Sequence, residues 1–101
     1  MHINFTGHSV DVTPALKAIT AEKFDKLERH FDHIMAVDVV FNVEKINQII
    51  EASITIPQKG KVYARAESEH MYEAIDEIVA KLDRQLLKYK GKKLDHRDHR
   101  E

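Results

Sequence analysis

The apolar residues of this chain change period three times along its length, and the order of those periods leaves few folds open. "INFTG" alternates, with Ile3 and Phe5 on one side and Asn4 and Thr6 on the other, which is the period of a half-buried strand. Gly7 is placed to end it. In "TPALKAITAEKFDKLERHF" the apolar stripe is Leu16, Phe24, Leu27 and Phe31, with Ile19 at its edge. Thr13 can cap that stretch, and Pro14 loses nothing at a first helical position, where its missing N–H would have no partner. A helix is predicted from about Pro14 to Phe31. Alternation then returns: Val37, Val39, Phe41 and Val43 share one face, as do Ile50, Ala52, Ile54 and Ile56. Two strands joined by a turn near Lys45 to Gln48 follow from this. After the turn "PQKG", Val62, Ala64 and Ala66 point inward on a fourth strand. Ser68 is a candidate cap for a last helix through about Tyr89, with Met71, Ile75, Ile78, Val79, Leu82 and Leu86 at spacings of three and four. Gly91 is expected to stop it.

The resulting order is β-α-β-β-β-α. Strands with one apolar face need helices on that face only, so the fold class is α+β: a two-layer sandwich, a four-stranded sheet with two helices on one face. The first two strands, linked through a helix, are expected to be parallel, and the short later turns make the other pairs antiparallel. A ferredoxin-like plait would need a strand after the second helix, and the charged end of the chain offers none. A length of 101 residues suits one core. Residues 93–101 read as a charged, flexible tail on a domain spanning 1–92. No run approaches the roughly 20 apolar residues of a membrane span, so a cytoplasmic protein is expected.

The net charge is only −1, so any polyanion-binding role must rest on where charges sit. At about 100° per residue, Lys23, Lys26, Arg29, His30 and His33 fall on one edge of the first helical stripe. Asp25, Glu28 and Asp32 fall on the other, with Glu22 among the bases and Lys17 among the acids as the exceptions. In the second helix Lys81, Arg84, Lys88 and Lys92, spaced 3, 4 and 4, form one line, and Glu69, Glu73, Asp76 and Asp83 take the opposite flank. Solvated helix faces and the helix dipole account for either helix alone. If the two basic flanks met, six to eight Lys and Arg would form a groove able to track a phosphate backbone. The outward sheet face is a poor rival: Asn4, Asn42, Glu44, Thr55, Arg65 and Glu67 surround a single aromatic, Tyr63, where a base-stacking platform uses two or three.

Catalytic constellations are missing. The chain has no cysteine, which removes thiol chemistry and thiolate metal sites. His30-x-x-His33 and His96-x-x-His99 lack the carboxylate of a zincin-like pattern. Ser9, Ser53 and Ser68 sit in no nucleophile elbow, and Gly7, Gly60 and Gly91 are too scattered for a phosphate loop. No enzyme, metal or cofactor is expected.

Several segments together, "NFTG", "KFDKLERHFD", "VEK", Glu51-Ala52 and above all "MYEAIDEIVAKLDRQLLKYK", resemble the short form of the ribosome hibernation promoting factor family, which includes the ribosome-associated inhibitor also called protein Y. The resemblance spans roughly residues 1–92. It implies a fold like a double-stranded-RNA-binding domain with an extra first strand. It also implies binding in the mRNA and tRNA channel of the small ribosomal subunit, with Lys23, Lys26, Arg29, Lys81, Arg84, Lys88 and Lys90 facing 16S rRNA and Lys92 extending the line. Family members occlude translation in stationary phase or stress, and the short form acts with the ribosome modulation factor on 70S ribosomes to complete inactive 100S dimers. Off the ribosome a monomer is expected. The tail "LDHRDHRE" is shorter than the acidic tail of the inhibitor, which favours the hibernation factor, and a second domain like that of the long forms is not expected. A monosome-holding inhibitor, a general duplex-RNA-binding module and a protein-interaction domain with merely solubilising charges remain the alternatives.

Overall fold

The computed structural model describes residues 1–31, 34, 36–57 and 60–99, with side chains of the last helix described through residue 88. Its elements are β1 (His2–His8), α1 (Pro14–His30), β2 (Ala36–Glu44), β3 (Asn47–Ile56), β4 (Gly60–Ser68) and α2 (Met71–His99). The sheet order is β1-β2-β3-β4, with β1 parallel to β2 and the other two pairs antiparallel. This is the expected β-α-β-β-β-α sandwich. Both helices cover the face formed by Val37, Val39 and Phe41, by Ile50, Ala52 and Ile54, and by Val62, Ala64 and Ala66, all buried. Phe24, Leu27 and Phe31 close the core from α1, and Ile75, Ile78, Leu82 and Leu86 from α2.

Local chemistry sets the element ends. Thr13 Oγ1 accepts the Leu16 N–H at 3.1 Å, and Pro14 opens α1, the pairing that satisfies an otherwise orphan donor. Phe31 is the C-cap rather than the last helical residue: its backbone is extended, its N–H reaches the Leu27 carbonyl at 2.9 Å, and its ring is buried. The β2–β3 connection is tighter than expected. Glu44 pairs with Asn47, so Lys45 and Ile46 alone make the turn, Lys45 in the left-handed region at φ 57°. The "PQKG" turn falls partly on residues 58–59, outside the described residues.

Three expectations need correction. Gly7 does not end β1, which runs to His8. A Cβ there would lie 2.4 Å from the Val10 carbonyl oxygen and 2.8 Å from Val12 Cγ2, so glycine lets the returning chain pass close to the strand. Ser68 does not cap α2. It ends β4, its Oγ accepts the His70 N–H at 3.2 Å and donates to Glu73 Oε1 at 3.2 Å, shaping the turn that precedes the helix. Gly91 does not stop α2, whose backbone continues helical to His99. Glycine costs only about 1 kcal/mol in a helix interior and does not forbid one. Helix therefore covers residues 93–99 of the expected flexible tail, while 100–101 lie outside the described residues.

Candidate nucleic-acid interface

The two helices lie side by side on the sheet, and their sorted charges meet in an order that periodicity does not show. Glu28, on the acidic flank of α1, holds the Met1 ammonium at 2.8 Å. The basic flank of α1 turns toward α2, where it meets not the basic line but the acidic one. Lys23 Nζ lies 3.2 Å from Asp76 Oδ1, and His30 Nδ1 lies 2.8 Å from Asp83 Oδ1. Lys23, Lys26 and Arg29 share a depression of about 410 Å³ with Glu22, Asp76, Val79 and Ala80. The basic line of α2 lies on its far side. There Lys81, Arg84 and Lys88 line a second depression, of about 490 Å³, against Tyr63, Ala64 and Arg65 of β4. The basic flanks thus do not meet in one groove. Acidic and basic stripes alternate across the helical layer, and the two middle stripes partly neutralise each other.

This order separates cations that hold the fold from those that face outward. Lys23 is engaged by Asp76. Lys81 donates to the Arg65 carbonyl at 2.8 Å and lies 3.5 Å from Glu77 Oε1. Gln85 Nε2 donates to the Tyr63 carbonyl at 2.8 Å. β4 is an edge strand, and these two side chains occupy carbonyls that an edge would otherwise leave open. Lys26, Arg29, Arg84 and Lys88 make no ion pair among the described residues. The side chains of Lys90 and Lys92 lie outside the described residues, as do His33 and the side chains of His96 and His99. Among the described residues no group of three or more His, Asp or Glu is placed to hold a metal.

Arg65 and Tyr63, absent from the sequence-based set, meet the second depression through the carbonyls that hold Lys81 and Gln85. Alternation assigns both to the outward face of β4, but that strand's place at the sheet edge, under α2, is a long-range fact. Tyr63 is half exposed and its hydroxyl donates to Glu51 Oε1 at 2.8 Å. That hydrogen bond to a carboxylate, with desolvation and the Glu51 charge, holds the phenol above its usual pKa, against a smaller opposing effect of Arg65. The hydroxyl therefore stays protonated at neutral pH.

The fold is a two-layer α+β sandwich with cations on its helical layer that make no ion pair among the described residues, and sequence relationship makes the class specific. Residues 3–94 match the family model described as Sigma 54 modulation protein / S30EA ribosomal protein, and the chain belongs to that family. It is 48% identical over 95 residues to a ribosome hibernation promoting factor of Azotobacter vinelandii, covering 94% of this chain and 88% of that one. A ribosome hibernation promoting factor of Klebsiella oxytoca is 45% identical over 96 residues, 95% of this chain and 100% of the relative. A ribosomal subunit interface protein from Coxiella burnetii has the same fold, with a TM-score of 0.84 and 36% identity over 90% of this chain and 99% of that one.

Proposed function

We propose that this chain is a non-enzymatic ribosome hibernation factor that binds the small ribosomal subunit through its helical layer and blocks the mRNA and tRNA channel. The observation that carries this reading is the set of four cations with no ion pair among the described residues, Lys26 and Arg29 on α1 and Arg84 and Lys88 on α2, in a chain whose relatives are named ribosome hibernation promoting factors. Four such groups neutralise phosphates and release condensed counterions, the main source of affinity for a nucleic-acid backbone. The mechanism is occlusion, with no bond made or broken. Lys92 continues the spacing of the α2 line, Lys90 joins the RNA-facing set, residues 1–92 form the binding domain, and 16S rRNA is the contacted polyanion. Residence on ribosomes makes the protein cytoplasmic; no helix among the described residues is long and apolar enough to cross a membrane.

Joint action with the ribosome modulation factor to give inactive dimers is the further part of the proposal. It is supported by the full-length match to a relative named as a promoting factor. A sucrose-gradient profile of stationary-phase lysate, probed for this protein, tests it. Protein in the small-subunit, monosome and dimer fractions, with dimers reduced when the protein is deleted, is the expected result. Unchanged dimers with the protein only on monosomes would select the monosome-holding alternative, and protein only at the top of the gradient would defeat both.

A further inference from the structure

Acids occupy the strip that a continuous phosphate backbone would have to cross. Between the outward cations of α1, Lys26 and Arg29, and those of α2, Arg84 and Lys88, runs the seam where the two helices meet. Lys23 is matched there by Asp76 and His30 by Asp83, and the Asp76 side chain is 59% exposed. Glu22 adds a further exposed carboxylate to the same depression and makes no ion pair among the described residues. Three carboxylates thus face one lysine and one histidine, so the seam is net negative even with His30 protonated. Exposed pairs such as Lys23–Asp76 add little to stability, so their placement is free to serve recognition.

Spacing decides which RNA this arrangement disfavours. Packed helices lie about 8–10 Å apart, close to one Debye length at physiological salt. A phosphate held on one cation line meets the seam acids at a distance where screening has cut their repulsion, whereas a phosphate over the seam meets them at contact. A duplex carries phosphates at fixed, close intervals, and a domain that reads duplexes spans about 16 base pairs. Laid across both helices, it cannot keep its phosphates off the seam. Folded RNA that presents separate segments to the two lines can.

We propose that Glu22 and Asp76 are specificity determinants: they turn away duplex RNA that would cross the seam and leave the helical layer to RNA whose phosphates reach the two cation lines separately. This rests on the reading of the helical layer as RNA-facing.

The labelled full-length protein is titrated by fluorescence anisotropy with purified small ribosomal subunits and, separately, with an RNA duplex of about 20 base pairs, longer than such a domain spans. Glu22→Gln plus Asp76→Asn is expected to bind the duplex about tenfold more tightly, with a log-log salt slope steeper by about one unit as Lys23 is released. Its affinity for small subunits is expected to rise no more than about threefold. Asp11→Asn plus Glu44→Gln changes the net charge equally at exposed positions off the helices, and is expected to alter duplex binding by no more than about twofold. No gain on the duplex, an equal gain on small subunits, or an equal duplex gain in the off-helix variant overturns the assignment alone while the unmodified chain binds small subunits. Failure of the unmodified chain to bind small subunits overturns the ribosome-binding reading and, with it, this one.

Discussion

At the scale of single residues, chemically similar cations on one helix do different things. Lys81, Arg84 and Lys88 are indistinguishable by spacing, because a period of three and four reports only which face of a helix a residue shares. Their separation depends on what lies across from each, sixteen or more residues away: the Arg65 carbonyl opposite Lys81 is 2.8 Å from its ammonium, whereas Arg84 and Lys88 meet solvent. Replacing Lys81 and Gln85 together with Ala is therefore expected to cost about 1–3 kcal/mol in urea unfolding, from two lost hydrogen bonds to the β4 edge. Replacing Arg84 and Lys88 with Ala is expected to change stability by no more than about 0.5 kcal/mol and to weaken ribosome binding instead. Equal stability losses in the two double variants would contradict this division. The inward residues, by contrast, were legible from sequence, since alternation of Val37, Val39 and Phe41 is a local property of the strand. Ile49 is the exception: it points to the opposite face and is still only 2% exposed, which its own alternation does not predict.

At the scale of elements, charge sorting on each helix was legible and its meaning was not. The basic edge of α1 and the acidic edge of α2 are two sides of one helix–helix contact, joined by Lys23–Asp76 and His30–Asp83. Exposed pairs such as Lys23–Asp76 contribute at most about 1 kcal/mol, so the contact's strength comes from the apolar residues beneath it. Its consequence for binding is larger, because acids between two basic stripes interrupt the positive surface. Asp76→Lys should release Lys23, add a cation, and give a more continuous basic layer. The expected result is tighter binding to small subunits at low salt and a log-log salt slope steeper by about one unit. An unchanged slope would mean that the inter-helix depression does not contact phosphate. The end of α2 shows a different limit of sequence reading: Gly91 has the composition of a stop signal, but a single glycine lowers helix stability without terminating it.

At the scale of the whole molecule, a net charge of −1 coexists with outward cations on the helical layer because the charges are arranged in stripes. Fold and topology could be read from the periods because each strand has one apolar face and each helix one apolar stripe, and only one layered arrangement buries all six. The site could be read only as a set of side chains. Their grouping into two depressions, one beside α1 and one beside the β4 edge, depends on which helix flank faces which neighbour. The central claim is that these outward cations hold the small ribosomal subunit. Co-sedimentation of the purified protein with purified small subunits tests it, comparing the unmodified chain with Arg84→Glu plus Lys88→Glu and with Lys26→Glu plus Arg29→Glu. The account predicts that the unmodified chain pellets with the subunits and that both double reversals stay in the supernatant, with far-UV circular dichroism unchanged; pelleting of both folded double variants at the level of the unmodified chain would contradict it.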